Sequence, residues 1–276
     1  MSTLTTKPLA GTVGAEVVGL EPDQLLQDDS LPEAVMEALE DNGVLVFREL
    51  DIDDDTQVAF SQKLDDVGKS EPAKAPAIYI VSLDPQKSHT AEYTKGTFHW
   101  HIDGAQDDVP NKATVLSAIQ VAATGGETEF ASTYAAFDML DPDEQEQALS
   151  TRVVHSLAAT QRLTYPDPTP EQEAQWARVP DKVHPLVWTH RTGRRSLVIG
   201  ATASHLEGMD VDEGRALLAS LDERATAPER VYRHEWQVGD LVIWDNRGVM
   251  HRVCPYDASS AREMHRTTIA GDEAIR

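Results

Sequence analysis

The sequence predicts a mainly β fold of the α+β class, an antiparallel barrel or jelly roll carrying helical insertions. Three observations predict it. Helical patterns come mostly early in the chain and strand patterns recur late. The regular βαβ alternation of a doubly wound sheet is missing. No Gly/Ser linker, repeat or low-complexity tract divides the chain, so residues 1–276 read as one domain with insertions.

The elements follow in order. Thr12 to Leu20 is a short apolar alternation suited to a strand. Ser30-Leu31-Pro32-Glu33 has a capping-box pattern with Pro in the first turn, which opens a helix to about Glu40. Asn42-Gly43 ends it, and Val44 to Phe47 reads as a buried strand. A second helix covers Asp54 to Asp66, with Val58, Phe60 and Leu64 apolar. Ala77 to Leu83 is a strand, followed by a polar stretch from Asp84. Residues 133 to 148 look helical, and Thr169-Pro170-Glu171-Gln172 opens another short helix. Leu186-Val187-Trp188 and Ser196 to Ile199 flank Thr192-Gly193, a hairpin signal. Asp210 caps a helix to about Glu223. Arg230–Trp236, Leu241–Trp244, Val249–Val253 and Met264–Ala270 make the strand-rich tail.

Composition excludes several functions. There are 24 Lys and Arg against 47 Asp and Glu, a net charge of −23. Such a chain repels nucleic-acid phosphates and disfavours anionic membrane surfaces. Hydrophobic residues make up 40% of it, enough for a sizeable core. The one cysteine, Cys254, permits neither an intramolecular disulfide framework nor a cysteine-built zinc site, and reads as a small buried filler. No stretch has the length of a membrane span, and the first residues lack a secretory pattern, so a soluble cytoplasmic protein is expected.

The sharpest local feature is Phe98-His99-Trp100-His101-Ile102-Asp103. Read as a strand, it puts His101 and Asp103 on one face, where imidazole and carboxylate can converge on an ion. His99 shares that face, so His99 with His101 is an alternative pair. A second feature lies far downstream. There Leu241 to Trp244 meets the turn Asp245-Asn246-Arg247-Gly248, and the next strand carries His251. One His-x-Asp and one distant His compose the two-histidine, one-carboxylate triad of non-haem Fe(II) oxygenases, which leaves coordination positions open. The third feature is Arg262-Glu263-Met264-His265-Arg266-Thr267-Thr268. In a strand, Arg262, Met264, Arg266 and Thr268 share a face, and two guanidiniums facing a pocket suit two anions.

Trp100-His101-Ile102-Asp103, Gly125-Gly126-Glu127-Thr128, Trp244-Asp245-Asn246-Arg247 with His251, and Arg262-x-Met264-His265-Arg266 occur in this order. Together they resemble the taurine / 2,4-dichlorophenoxyacetate dioxygenase family of Fe(II)- and 2-oxoglutarate-dependent oxygenases, from about Gly11 to Asp272. The resemblance implies a double-stranded β-helix, the cupin-like jelly roll. It also implies Fe(II) as cofactor and 2-oxoglutarate and O2 as cosubstrates, with release of succinate and CO2. His101, Asp103 and His251 would then be the catalytic metal ligands. Thr128 and Arg262 would bind the distal carboxylate of 2-oxoglutarate. Arg266 and the backbone N–H of Gly104 would hold a substrate anion. Related halogenases have Gly or Ala at the position of Asp103, so its carboxylate implies an oxygenase outcome. Association into dimers or tetramers is common in the family, and no sequence feature fixes the number.

Taurine-specific members of the family carry a His and a Tyr after the second helix and an Asn four residues before the first iron ligand. Here Gly68 to Lys74 has neither ring, and Thr97 stands four before His101, which argues against taurine itself. Arg266 still favours a small sulfonate, sulfate ester, carboxylate or related anion. The segments Asp84–Thr97 and Gly104–Asn111 flank the first ligand pair as lids. Within or beside them, Thr97, Tyr93, His99 and Gln106 are expected to contact substrate. His155 and Ser156, in the strand-like segment Arg152–Leu157, could line the pocket. His184, His190, His205 and His234 read as surface or hydrogen-bonded residues. Two other classes compete: a cupin-like isomerase or hydrolase using the triad without 2-oxoglutarate, and a non-catalytic sensor that binds it.

Overall fold

The computed structural model describes residues 4–68 and 77–276, and the strand Leu241–Asp245 lies in the middle of its largest sheet. The seven strands of that sheet run in the order Thr6–Pro8, Ala15–Val17, Val44–Phe47, Leu241–Asp245, Ala113–Gln120, Glu263–Ile269, Tyr79–Val81. All neighbours are antiparallel except Ala15–Val17 against Val44–Phe47. A smaller antiparallel sheet faces it, in the order Tyr232–His234, Thr128–Ser132, Val249–Val253. The strands Ala203–Leu206, Arg152–His155 and Lys182–Pro185 form a third sheet. Val187–Thr189 and Arg195–Leu197 form the expected hairpin around Gly193, whose φ is 87°. The mainly β jelly roll with helical insertions is the observed fold.

Side-chain alternation divides the core. Leu241 and Ile243 point to one side of the large sheet, where Phe60 and Leu64 of the helix Asp54–Asp66 and Val35 and Leu39 of the helix Leu31–Asn42 cover them. Val242 and Trp244 point to the other side and meet Leu116, Phe130 and Met264 between the two sheets. Each fully buried Leu, Ile or Phe contributes about 1.5–3 kcal/mol relative to exposure. The two clusters fix the register of the strands that carry the site.

Several elements differ from expectation. The strand expected over Thr12–Leu20 shrinks to Ala15–Val17, bounded by Gly14 and Gly19 at φ 103° and 75°. Ser30 forms no capping box; its hydroxyl donates to Asp28 instead. The helix expected over 133–148 is two, Thr133–Asp138 and Pro142–Ser150. Pro142 has no N–H to continue the first, and Asp141 with Glu144 caps the second. The segment Arg152–Leu157 is a strand only to His155, and Leu157–Thr164 is a helix. Ala113–Gln120 and Thr128–Ser132 are strands that the sequence reading did not pick out. Among the described residues no helix is long and apolar enough to cross a membrane.

Candidate active site between the two sheets

His251 enters the site from the strand Val249–Val253, directly opposite Phe130 in the ladder. Its ring lies 4.7 Å from Trp244 and 6.2 Å from Phe130, so the inner faces of both sheets wall it in. His101 arrives differently. The expected strand from Phe98 to Asp103 is absent: Lys95–Phe98 is a 3-10 turn and His101 makes one isolated bridge. That bridge is to His251. Their backbones exchange both hydrogen bonds, at 3.0 and 2.9 Å, and their ring centroids stand 4.2 Å apart. The turn at Gly200 supports this segment from behind, with Ala201 N–H donating to the Trp100 carbonyl at 2.7 Å. A Cβ at Gly200 would fall 2.8 Å from that oxygen, so glycine is required at its φ of 106°.

Asp103 follows on a turn, yet its carboxylate returns to the two imidazoles. Oδ1 lies 3.8 Å from His101 Nε2, and Oδ2 lies 4.0 Å from His251 Nε2. Oδ2 also accepts from Thr114 Oγ1 at 2.9 Å, and Thr114 accepts from the Asn246 amide at 3.0 Å. Burial alone would raise the pKa of Asp103, but His251, Arg266, His101 and Thr114 outweigh it and hold it at about 2. Burial pushes His251 down to about 3, with His101 adding to the effect. One nitrogen of His101, Nδ1, sits 2.9 Å from the His99 carbonyl, an acceptor only, which places a proton on Nδ1 and turns Nε2 toward Asp103. Two imidazoles and one carboxylate, with ligand atoms within 4.8 Å of one another, suit a divalent ion, which binds the neutral form of each ring. Nδ1 of His251 is buried without a partner among the described residues.

Two arginines approach this centre. Arg262 is 2% exposed and forms no salt bridge among the described residues. Its Nε donates to the Gly126 carbonyl at 3.2 Å, its guanidinium lies 5.1 Å from the Tyr256 ring, and one terminal nitrogen has no partner. Burial pushes its pKa below the usual arginine value. A Cβ at Gly126 would come within 3.0 Å of the Arg262 side chain, so the glycine makes the space this arginine occupies. Thr128 is 1% exposed, and its oxygen accepts from Trp236 Nε1 at 2.9 Å. Arg266 shares a face with Met264 and Thr268, as expected; Arg262 lies before the strand, beyond a bulge at Glu263. The Arg266 guanidinium stands 3.7 Å from Asp103 Oδ2 and 4.7 Å from the Tyr79 ring, with Nε unpaired among the described residues.

The remaining expected contacts are looser. Gly104 opens the turn after Asp103 at φ 81°. Thr97 donates its hydroxyl to the Thr94 carbonyl at 2.6 Å. Tyr93 is 40% exposed, and its hydroxyl accepts from Gln175. His99 offers its carbonyl to His101, and burial lowers the pKa of its ring. Gln106 has a buried amide nitrogen without a partner. His155 is wholly buried against Thr202 and His184. Ser156 lines a separate cavity with Ser204, His205 and Asp222. His190 and His205 bond serine hydroxyls, and His234 bonds the Tyr232 hydroxyl. Cys254 is only partly buried. Most of Gly68–Lys74, where the sequence lacks His and Tyr, lies outside the described residues. Thr114 and Trp236 were not legible as site residues, since a lone Thr or Trp in a strand-like stretch signals only packing.

Comparison with known proteins agrees with this geometry. The model of the family "Taurine catabolism dioxygenase TauD, TfdA family" matches residues 5–268. The alpha-ketoglutarate-dependent 2,4-dichlorophenoxyacetate dioxygenase of Cupriavidus pinatubonensis is 39% identical over 253 residues, covering 86% of this chain and 88% of that one. An alpha-ketoglutarate-dependent sulfate ester dioxygenase of Pseudomonas putida is 30% identical, covering 99% and 91%. The crystal structure of AAD-2 in complex with Mn(II) and N-oxalylglycine superposes with a TM-score of 0.84 at 33% identity, covering 99% of this chain and all of that one. With nearly its whole length matched in sequence and in fold, the chain belongs to the TauD/TfdA family of dioxygenases.

Proposed function

We propose that this chain is an Fe(II)- and 2-oxoglutarate-dependent dioxygenase that acts on a small organic anion in the cytoplasm, with residues 1–276 as one catalytic unit. Aryloxyalkanoic acids are the first candidates, on the 39% identity to a dichlorophenoxyacetate dioxygenase, and sulfate esters the second. The observation that carries the reading is Arg262, a buried cation with one nitrogen unpaired among the described residues, beside the cluster His101, Asp103 and His251. A desolvated guanidinium without a carboxylate is costly unless an anion arrives to pair with it. A metal isomerase or hydrolase that works without 2-oxoglutarate gives Arg262 no such anion.

His101 Nε2, the Asp103 carboxylate and His251 Nε2 would hold Fe(II). The bound iron and 2-oxoglutarate supply the chemistry, using O2 to hydroxylate substrate while 2-oxoglutarate becomes succinate and CO2. Arg262 and the Thr128 hydroxyl bind the distal carboxylate of the cosubstrate. Arg266, with the Gly104 N–H, holds the substrate anion. Its 3.7 Å separation from Asp103 keeps that anion beside the metal ligands. Thr114 holds the Asp103 carboxylate in place. Tyr93, Thr97, His99 and Gln106 shape the entrance for the organic part of the substrate. Hydroxylation at a carbon bearing an ether or ester oxygen gives an unstable hemiacetal-type product, so C–O cleavage follows.

The test is succinate release by the Fe(II)-loaded enzyme across aryloxyacetates, aryloxypropionates, alkyl sulfates and taurine. Substrate-dependent succinate, with phenol in equal amount from the aryloxy acids, is expected. Succinate release that no organic anion stimulates would favour a sensor and sink the enzymatic reading.

A further inference from the structure

Thr128, which would bind the distal carboxylate, is itself held in place. Its oxygen accepts a hydrogen bond from Trp236 Nε1 at 2.9 Å. An indole N–H is a donor only, so this bond has one direction. A threonine hydroxyl has two acceptor lone pairs and one hydrogen. With one lone pair taken by the indole, the hydroxyl hydrogen must point away from Trp236. Thr128 is 1% exposed, so water is not freely available to compete for that hydrogen.

The indole is itself fixed. It meets His234 edge-on, with centroids 4.4 Å apart and planes at 86°. His234 is fully buried, with Nδ1 at 2.9 Å from the Tyr232 hydroxyl and Nε2 at 3.2 Å from Asp240 Oδ2. Asp240, also fully buried, accepts from Arg48 at 2.6 Å and from the Gln237 N–H at 2.9 Å. His234 lies directly opposite Thr128 in the ladder, so one pair of strands carries both the hydroxyl and the support for its donor. Trp236 and Arg262 also line one cavity of about 140 Å³, so the indole that bonds Thr128 lies near the guanidinium.

We infer that Trp236 is a positioning residue for the cosubstrate: its N–H commits the Thr128 hydroxyl to donate toward the distal carboxylate that Arg262 pairs with. The inference rests on the reading of Thr128 and Arg262 as that carboxylate's site. Replacing the indole by a phenyl ring keeps an aromatic ring beside His234, loses the N–H and part of the ring volume, and frees the hydroxyl to rotate. Part of the Thr128 bond to the anion is then lost.

The experiment is calorimetric titration of Mn(II)-loaded protein with 2-oxoglutarate, comparing wild type, Trp236→Phe, Thr128→Val and the double variant. Trp236→Phe should weaken binding about threefold to tenfold, and Thr128→Val by at least as much. The double variant should bind no more weakly than Thr128→Val alone, because Trp236 acts through the hydroxyl. Binding of 2-oxopentanoate, which lacks the distal carboxylate, should be unchanged by Trp236→Phe; a general loss of folding would weaken both ligands. Wild-type affinity in Trp236→Phe, or an equal further loss on the Thr128→Val background, overturns the inference and leaves the carboxylate site standing. Wild-type affinity in Thr128→Val overturns both.

Discussion

The two ends of the site are built in different ways. At the cosubstrate end, Thr128 and His251 lie on paired strands, and Arg262 is wedged between Gly126 and Tyr256 with 2% of its surface exposed. At the substrate end, the Arg266 side chain is 31% exposed, and Tyr93, Thr97 and Gln106 sit on short helical turns and loops. Ladder hydrogen bonds fix Thr128 and His251 at the first end and the backbone of Arg266 at the second. Tyr93, Thr97 and Gln106 depend instead on segments with few long-range backbone bonds, the kind that open locally at low cost. The contrast fits a scaffold that keeps one cosubstrate and varies its substrate, because loop residues can change without disturbing the ladder.

The largest expected effect is on the metal, which both ends share. His101→Ala should abolish stoichiometric Fe(II) binding and activity together, measured by metal content after gel filtration. Thr114→Val tests the same centre more gently. It removes the hydroxyl that orients Asp103 and should weaken metal affinity about tenfold to hundredfold. Undiminished iron in His101→Ala would break the assignment for both ends at once.

The next effect separates them. Arg262→Met should raise KM for 2-oxoglutarate on the order of a hundredfold, since the anion loses its buried, charge-assisted partner. The same substitution should raise the Tm of the ligand-free protein, because it removes an unpaired buried cation. A fall in both affinity and Tm would mean that Arg262 is structural. Arg266→Gln should raise KM for the organic substrate roughly tenfold to hundredfold and leave 2-oxoglutarate affinity within about twofold. If both ligands weaken together, the two ends are not independent.

The cosubstrate end is marked in the sequence by motifs that carry the family resemblance, Gly125-Gly126-Glu127-Thr128 and Arg262-x-Met264-His265-Arg266. Thr128 and Arg262 were read from that resemblance and not from composition or spacing. The conclusion about His101 and Asp103 survived a wrong premise. Alternation along a strand was expected to bring them together, but one bridge to His251 and a following turn do so. The central strand Ala113–Gln120 was missed because it is buried along most of its length and shows no clean alternation. The support at Thr114, Trp236 and Gly200 depends on contacts between segments distant in sequence, about 100 residues apart or more in the last two cases, which no local pattern records.

The smallest expected effect concerns what steadies the loop-built end. Gly200, which backs His101, lines one cavity with Asp222 of the helix Val211–Ala225. Asp222 Oδ1 is buried without a partner among the described residues, and burial raises its pKa to about 7 against a smaller lowering by the Gly200 backbone. Its folded pKa therefore exceeds the ordinary 3.8, and the folded state holds a proton that the unfolded state gives up. Stability is then highest below about pH 4 for this group and falls as pH rises to about 7. The ceiling on that loss is roughly 4 kcal/mol, at about 1.4 per pH unit. The half-open cavity beside it, also lined by Arg162, Asp181, His205 and Arg215, lets water lower that figure to roughly 1–2 kcal/mol. Asp222→Asn keeps the size and shape of the side chain and cannot ionise. Its Tm should match wild type near pH 4 and exceed it at pH 8, with the gap opening between. Parallel Tm profiles for the two proteins across that range would show that the carboxyl ionises as freely in the fold as in the unfolded chain.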